Sequence, residues 1–193
     1  MKEIRVAFYK GGKGEPWINK LTQFMTGKYI HCELVFIEPD GRNKACYVWQ
    51  NETVGFRHKT FGRTEWEHRS IKVNNQVYNN MRKFCQFQAD NNVPFNLYGM
   101  IRSISPWPCE TSGKKWFCSQ LTIAAFQHAG LFTEYIPGSI TPYQLYIILK
   151  NNNSRPEASP VYKERLIKKP LSLQKLNYNT HDNEPLIKKI IPL

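Results

Sequence analysis

The sequence predicts an α+β fold in which an antiparallel sheet packs against a helix that begins at a cysteine. Residues 29–36, Tyr-Ile-His-Cys-Glu-Leu-Val-Phe, have the alternation and the β-branched content of a strand. Both faces of this strand are largely apolar, which is typical of a strand buried on two sides. Residues 116–130 have a short aromatic start and then the pattern of an amphipathic helix that begins near Cys118 and ends at Gly130.

The rest of the first 150 residues continues this alternation of strands and helices. Short connections, such as the Pro39-Asp40-Gly41 turn, favour antiparallel pairing. Thr141-Pro142-Tyr143-Gln144 has the pattern of a capping box with proline at the first helical position. Further strands are predicted over 3–9, 54–59 and 69–74 and near 45–51, and helices after Pro16, over 76–91, near 96–104 and over 142–149.

The chain is long enough for one domain with an extension. Of its 193 residues we assign 1–150 to a compact domain and 151–193 to a basic, proline-containing C-terminal arm. Prolines interrupt any regular period in the arm, but its many leucines and isoleucines are too apolar for a solvated linker. We therefore expect the arm to dock along the domain or on a partner.

Composition excludes several classes of protein. A hydrophobic fraction of 41% is too high for a disordered chain, and no apolar run is long enough to span a membrane. The five cysteines are odd in number and widely spaced, and no Cys-x-x-Cys pair suggests a zinc site or a disulfide framework. The first residues form a strand pattern and not a signal peptide. We expect no cofactor, and a cytoplasmic or virion-associated protein in a reducing compartment.

Cys118 is the first candidate for a functional residue. A thiol at the start of a helix meets unpaired backbone N–H groups and the positive end of the helix dipole, which stabilise a thiolate. The structural alternative is a small buried hydrophobic residue, as most free cysteines are.

His31 and Glu33 are the second candidate because they share one face of a strand that is otherwise apolar. Buried polar side chains need partners, and these two residues could satisfy one another. The functional interpretation is that His31 acts as general base for Cys118, with a further polar group orienting the imidazole.

The ordered pair of motifs, His31 in His-Cys-Glu-Leu-Val-Phe and then Cys118 in Trp-Phe-Cys-Ser-Gln-Leu, resembles the circularly permuted NlpC-type papain-like hydrolases. This branch includes YiiX-like and lecithin retinol acyltransferase-like proteins and relatives from phages and large DNA viruses. The resemblance covers roughly residues 1–150 and implies a permuted papain-like fold. Gln120 departs from the pattern, since many relatives carry Glu there. The third triad position stays open between Glu33, which we prefer, and Gln50 or Asn51 on the following predicted strand.

The resemblance implies a thiol hydrolase in which Cys118 attacks a carbonyl and His31 moves the proton. Its expected substrates are peptides, isopeptides, peptidoglycan cross-links or acyl lipids, and a cysteine peptidase or amidase is the leading hypothesis. A lipid acyl hydrolase or acyltransferase is an alternative, and it should have an apolar patch to which Phe95, Trp107 and Trp116 could contribute. The other alternative is a non-catalytic virion-associated binding protein.

The strong positive charge predicts an anionic partner. The net charge is +12 and the pI is about 9.5, which suits an anionic membrane or virion surface contacted through the arm. Nucleic acid is a secondary possibility, because aromatic and basic residues mix over 57–66 without forming a recognised binding module.

Overall fold

A computed structural model describes residues 1–12, 27–103 and 113–152 of the chain. Over these residues the fold is α+β, as predicted, with one five-stranded antiparallel sheet of order β4-β3-β2-β1-β5. The strands are β1 (Lys2–Tyr9), β2 (His31–Ile37), β3 (Asn43–Tyr47), β4 (Gly55–His58) and β5 (Trp66–Val73).

The strand that carries His31 is the centre of the sheet. β2 pairs with β1 on one side and with β3 on the other, and six of its seven residues are buried, which confirms the prediction of burial on two faces. Strand residues alternate between the faces. Cys32, Leu34 and Phe36 join the main core, whereas Val35 belongs to a smaller apolar cluster on the opposite face.

The helices are α1 (Asn75–Asp90), α2 (Leu97–Arg102), α3 (Cys118–His128) and α4 (Pro142–Asn152). The three longer ones, α1, α3 and α4, cover the main-core face of the sheet. In α1, Met81 and Cys85 are fully buried, and Val77 and Phe84 pack at the edge of the core. α3 packs on both β2 and α1, so the helix that starts at Cys118 lies directly against the central strand.

The local signals at the helix ends are confirmed. The backbone N–H of Thr141 donates to Oε1 of Gln144 at 2.9 Å, and the N–H of Gln144 donates to Oγ1 of Thr141 at 3.2 Å, which is the predicted capping box. Gly130 has φ +85 just beyond α3, a left-handed conformation that ends the helix as expected.

The strand expected near 45–51 is shorter than predicted. β3 ends at Tyr47, and Gln50 and Asn51 lie in a turn, where Asn51 has φ 65. The apolar run continues through Val48 and Trp49, and these two residues leave the ladder and pack on the two faces of the sheet. The predicted helix after Pro16, residues 153–193 of the arm, and Cys109 and Trp107 lie outside the described residues.

Candidate active site

Cys118 is the first residue of α3 and faces the start of β2. Its side chain is buried, at 5% exposure, and belongs to the main core cluster. The preceding residues hold the start of the helix in place. Trp116 forms a β-bridge with Phe95, and the backbone N–H of Phe117 donates to Oε1 of Gln120 at 3.3 Å. The thiol therefore sits where the unpaired N–H groups of the first helical turn gather.

Two consecutive residues of β2 reach Cys118 from the two faces of the strand. They are Cys32 and His31, and both act on the pKa of the Cys118 thiol. The hydrogen bond from Cys32, with the attraction of His31, holds the pKa of Cys118 well below its ordinary value, although burial opposes this shift. A lowered thiol pKa beside an imidazole favours a thiolate–imidazolium pair.

His31 is enclosed between an aromatic ring and a carboxylate. Its ring stacks on Trp49 with 3.7 Å between centroids, and its Nε2 lies 3.5 Å from Oε1 of Glu33. Burial lowers the pKa of His31, but the neighbouring Cys118 thiolate and Glu33 outweigh burial, so that the pKa is raised above its ordinary value. The imidazole is therefore charged over a wider range of pH than a free histidine.

Glu33 is fully buried and its charge is shared among several donors. Its Oε1 accepts from Nη2 of Arg57 at 2.6 Å, from Nζ of Lys59 at 2.8 Å and from Nε1 of Trp49 at 3.2 Å. Burial alone would raise the pKa of this carboxyl, but His31 and Lys59 outweigh it and lower the pKa to about 2. Glu33 is thus a carboxylate at every physiological pH.

Of the three candidates for the third triad position, the structure places Glu33 beside His31. Gln50 and Asn51 are exposed in the turn after β3. The side chain from this segment that meets His31 is that of Trp49.

Sequence reasoning missed four residues that complete the site: Cys32, Trp49, Arg57 and Lys59. A buried glutamate needs positively charged partners, and this requirement could have pointed to Arg57 and Lys59. Arg57 and Lys59 were instead grouped with the nucleic-acid prediction. The register between β3 and β4, in which Ala45 pairs with Arg57, brings Arg57 to the face of Glu33.

Gln120, the departure from the family pattern, is buried next to the helix start. Its Oε1 accepts from the backbone of Phe117 and lies 3.5 Å from Nδ2 of Asn96, which caps α2. A carboxylate would satisfy the same two donors, so this side chain joins the starts of α2 and α3. Its Nε2 is buried without a hydrogen-bond partner in the described structure.

Of the three residues that could contribute to an apolar surface for a lipid-acting enzyme, the structure excludes Trp116, and Trp107 lies outside the described residues. Trp116 is buried and its Nε1 donates to Oε1 of Gln88 at 2.8 Å, so it does not contribute to an exposed patch. Phe95 packs at the edge of the core. The large apolar side chains that are exposed beside the site lie on α2, and they are Leu97, Tyr98 and Ile101.

Within residues 1–12, 27–103 and 113–152, no helix is long and apolar enough to cross a membrane. The same part of the chain contains no group of three or more His, Cys, Asp or Glu side chains that could hold a metal ion.

Comparisons with protein-family models, with curated proteins and with solved structures found no match to this chain.

Proposed function

We propose that this protein is a thiol hydrolase with a circularly permuted papain-like fold, which cleaves amide or isopeptide bonds through an acyl-enzyme on Cys118. The observation that carries the proposal is the meeting of three side chains. They are the Cys118 thiol at a helix start, His31, whose charge lowers the pKa of that thiol, and the buried Glu33, whose Oε1 lies 3.5 Å from Nε2 of His31. A nucleophile, a base and an orienting group in this order are the elements of a catalytic triad.

In the proposed reaction the Cys118 thiolate attacks the carbonyl carbon of the substrate. The backbone N–H groups at the start of α3 stabilise the oxyanion that forms. His31, as imidazolium, donates its proton to the leaving amine, which departs and leaves the acyl group on sulfur. The neutral imidazole then takes a proton from water, and the hydroxide releases the acid and restores the thiolate. The negative charge of Glu33, 3.5 Å from Nε2 of His31, favours a proton on that nitrogen, and the stacking on Trp49 holds the plane of the ring.

The lipid acyl hydrolase remains a second candidate because one observation favours it. The exposed apolar side chains of α2 follow Asn96, which contacts Gln120 in the first turn of α3. A membrane surface that met Leu97, Tyr98 and Ile101 would therefore lie close to the nucleophile. Binding to lipid vesicles that is lost in Ile101→Ser, together with release of fatty acid, would favour this candidate over amide hydrolysis.

The first experiment is the pH dependence of Cys118 alkylation by iodoacetamide in wild type and in His31→Ala, with the labelled cysteine identified by mass spectrometry. We expect rapid labelling of Cys118 well below the ordinary pKa of a thiol, because the thiolate persists there. In His31→Ala the rise in rate should move to higher pH, since the charge that stabilises the thiolate is lost.

The comparison uses the pH profile and not the absolute rate, because Cys118 is buried and access alone slows alkylation. Cys85 serves as an internal control, as another buried free cysteine. A free-thiol profile for Cys118 in both proteins would refute the catalytic proposal. A low-pH profile justifies a screen of peptide, isopeptide and ester substrates.

A further inference from the structure

Beside the nucleophile, the central strand presents a second thiol to which the hydrolase mechanism assigns no step. Cys32 is 1% exposed and lies on the face of β2 that packs against α3. Its Sγ lies 3.8 Å from Oγ1 of Thr122, and that hydroxyl donates to the carbonyl oxygen of Cys118 at 2.9 Å. Cys32 is therefore held through Thr122 against the first turn of α3, where Cys118 lies, and its thiol lowers the pKa of Cys118.

We propose that Cys32 and Cys118 form a site of reversible oxidation, in which peroxide oxidises Cys118 and Cys32 then closes a disulfide with it. The inference rests on the Cys118 thiolate of the proposed function and adds a modification of the same sulfur.

The chemistry takes two balanced steps. The Cys118 thiolate attacks one oxygen of hydrogen peroxide, the O–O bond breaks, and the products are a sulfenic acid and hydroxide. The sulfur of Cys32 then attacks the sulfenic sulfur, and the S–O bond breaks. The thiol proton of Cys32 leaves with the departing oxygen as water. Two electrons pass from the pair of sulfurs to peroxide, and a dithiol reverses the change by thiol–disulfide exchange.

The two sulfurs are suited to different steps of this reaction. Cys118 is the thiolate and therefore the sulfur that peroxide oxidises, and a molecule as small as peroxide can reach a thiol of 5% exposure. Burial and the hydrogen bond to Cys118 raise the pKa of Cys32 well above its ordinary value, so Cys32 stays a thiol until its neighbour is oxidised. The disulfide would remove the nucleophile and also prevent its further, irreversible oxidation.

The protein contains a matched control for proximity alone. Cys46 of β3 and Cys85 of α1 are a second pair of neighbouring buried free cysteines. The hydrogen bond with Cys85 and burial both raise the pKa of Cys46 well above its ordinary value, and nothing in the pair corresponds to the charge of His31 beside Cys118. If a nearby thiol were sufficient for oxidation, both pairs would oxidise, but our proposal predicts the Cys32–Cys118 pair alone.

The test treats the full chain with hydrogen peroxide at neutral pH and maps its peptides without reduction. In wild type we expect a Cys32–Cys118 peptide with a mass about 2 Da below that of the two thiols, no Cys46–Cys85 peptide, and full recovery of Cys118 alkylation after dithiothreitol. Cys46→Ser should behave like wild type. In Cys32→Ser, Cys118 should gain about 32 Da as sulfinic acid, and dithiothreitol should not restore its alkylation.

Several outcomes would overturn the inference. They are a disulfide from Cys118 to Cys109, an equal yield of the Cys46–Cys85 disulfide, or the same dithiothreitol-reversible state in wild type and in Cys32→Ser. The wild-type map decides the matter even if Cys32→Ser folds poorly. Failure of the proposed function has a separate readout, because a free-thiol alkylation profile of the reduced protein refutes the thiolate whether or not a disulfide forms.

Discussion

At the scale of single residues, the charge of His31 depends on Glu33, whose carboxylate also contacts Arg57 and Lys59. One oxygen of Glu33 meets the imidazole at 3.5 Å but meets Arg57 and Lys59 at 2.6 and 2.8 Å. The two cations keep the buried carboxylate ionised, which a histidine alone could not do once it lost its proton. They also compete with His31 for the same negative charge. The site therefore balances an orienting carboxylate against cations that weaken its pull on the imidazole.

Replacing Glu33 tests which residue orients the base. In Glu33→Gln the carboxylate charge is absent, so we expect the pKa of His31 to fall, because burial is then opposed by Cys118 alone. The measurement is the titration of the His31 ring proton by NMR. Gln50→Ala and Asn51→Ala are the matched controls and should leave this titration unchanged. If Gln50→Ala or Asn51→Ala lowers the pKa and Glu33→Gln does not, the orienting group lies on the turn after β3.

Lys59 acts on His31 in the opposite direction. Lys59→Gln removes a positive charge near the imidazole and leaves more of the Glu33 charge to His31, so the pKa of His31 should rise further. The same NMR titration measures the shift. Arg63→Gln, which removes a charge from an exposed side chain, should shift the titration far less because water and salt screen it. Equal shifts in the two variants would mean that net charge, and not the contact with Glu33, is responsible.

Residue-level prediction from sequence succeeded where the chemistry was local. Cys118 was expected at a helix start, and His31 and Glu33 on one face of a strand, because each follows from a period of two or of 3.6 residues. Arg57 and Lys59 were not connected with Glu33, because their contact with it depends on strand register across β3. Cys32 fits the pattern of an ordinary strand residue, and nothing local indicates that α3 brings Cys118 to it.

At the scale of elements, the ends of helices were more predictable than the ends of strands. A helix cap depends on residue types that lie close together in the sequence. The capping box of Thr141 and Gln144 and the C-terminal Gly130 were therefore identified correctly. A strand ends where pairing with the neighbouring strand stops. The apolar run through Val48 and Trp49 gave no sign that β3 stops at Tyr47. This early end also places Trp49 over His31.

Gly130 provides a test at this scale. Its φ of +85 favours glycine, and a Cβ there would meet nothing within 4 Å, so the cost of a side chain is conformational alone. We expect Gly130→Ala to lower the free energy of unfolding by about 1 kcal/mol, and Gly130→Asn by less, because asparagine tolerates this conformation. Urea denaturation measures both.

Gly62→Ala is the matched control. Gly62 is exposed, and a Cβ there would make only an ordinary contact at 3.8 Å, with Glu65. Its substitution should not destabilise the protein. A loss in Gly130→Ala no larger than in Gly62→Ala would mean that the left-handed turn after α3 contributes nothing to stability.

At the scale of the whole molecule, two carboxylates hold together parts of a strongly basic chain. Glu33 joins β2 to Arg57 of β4 and to Lys59. Glu67 of β5 accepts from Tyr29 and Tyr146, each at 2.6 Å, which ties the sheet edge to α4 and to the segment before β2. Both ends of the sheet therefore depend on a negative charge in a protein of net charge +12.

These two carboxylates predict a loss of stability in acid. Burial would raise both pKa values, but His31 and Lys59 at Glu33, and Tyr146 and Tyr29 at Glu67, outweigh it and lower each pKa to about 2 from 4.5. A carboxyl with a lowered pKa stabilises the folded state above its unfolded pKa and loses that contribution as pH falls through the folded value. For the fully buried Glu33 the contribution is of the order of 3 kcal/mol.

The contribution of these two carboxyls to the free energy of unfolding should therefore be constant above pH 4.5. It should fall steeply from pH 4.5 towards pH 2. Urea denaturation at a series of pH values measures the slope.

The variant Glu67→Gln tests the role of Glu67, because its amide side chain cannot ionise. It should be less stable than wild type at pH 7 and should lose less stability in acid. The curves of unfolding free energy against pH for the two proteins should therefore converge at low pH. Glu65→Gln, a change at an exposed side chain, should keep the wild-type slope. Parallel curves for wild type and Glu67→Gln would mean that Glu67 does not link the folded state to pH, and the acid sensitivity would then be assigned to Glu33 and the other carboxyls of lowered pKa, such as Glu3.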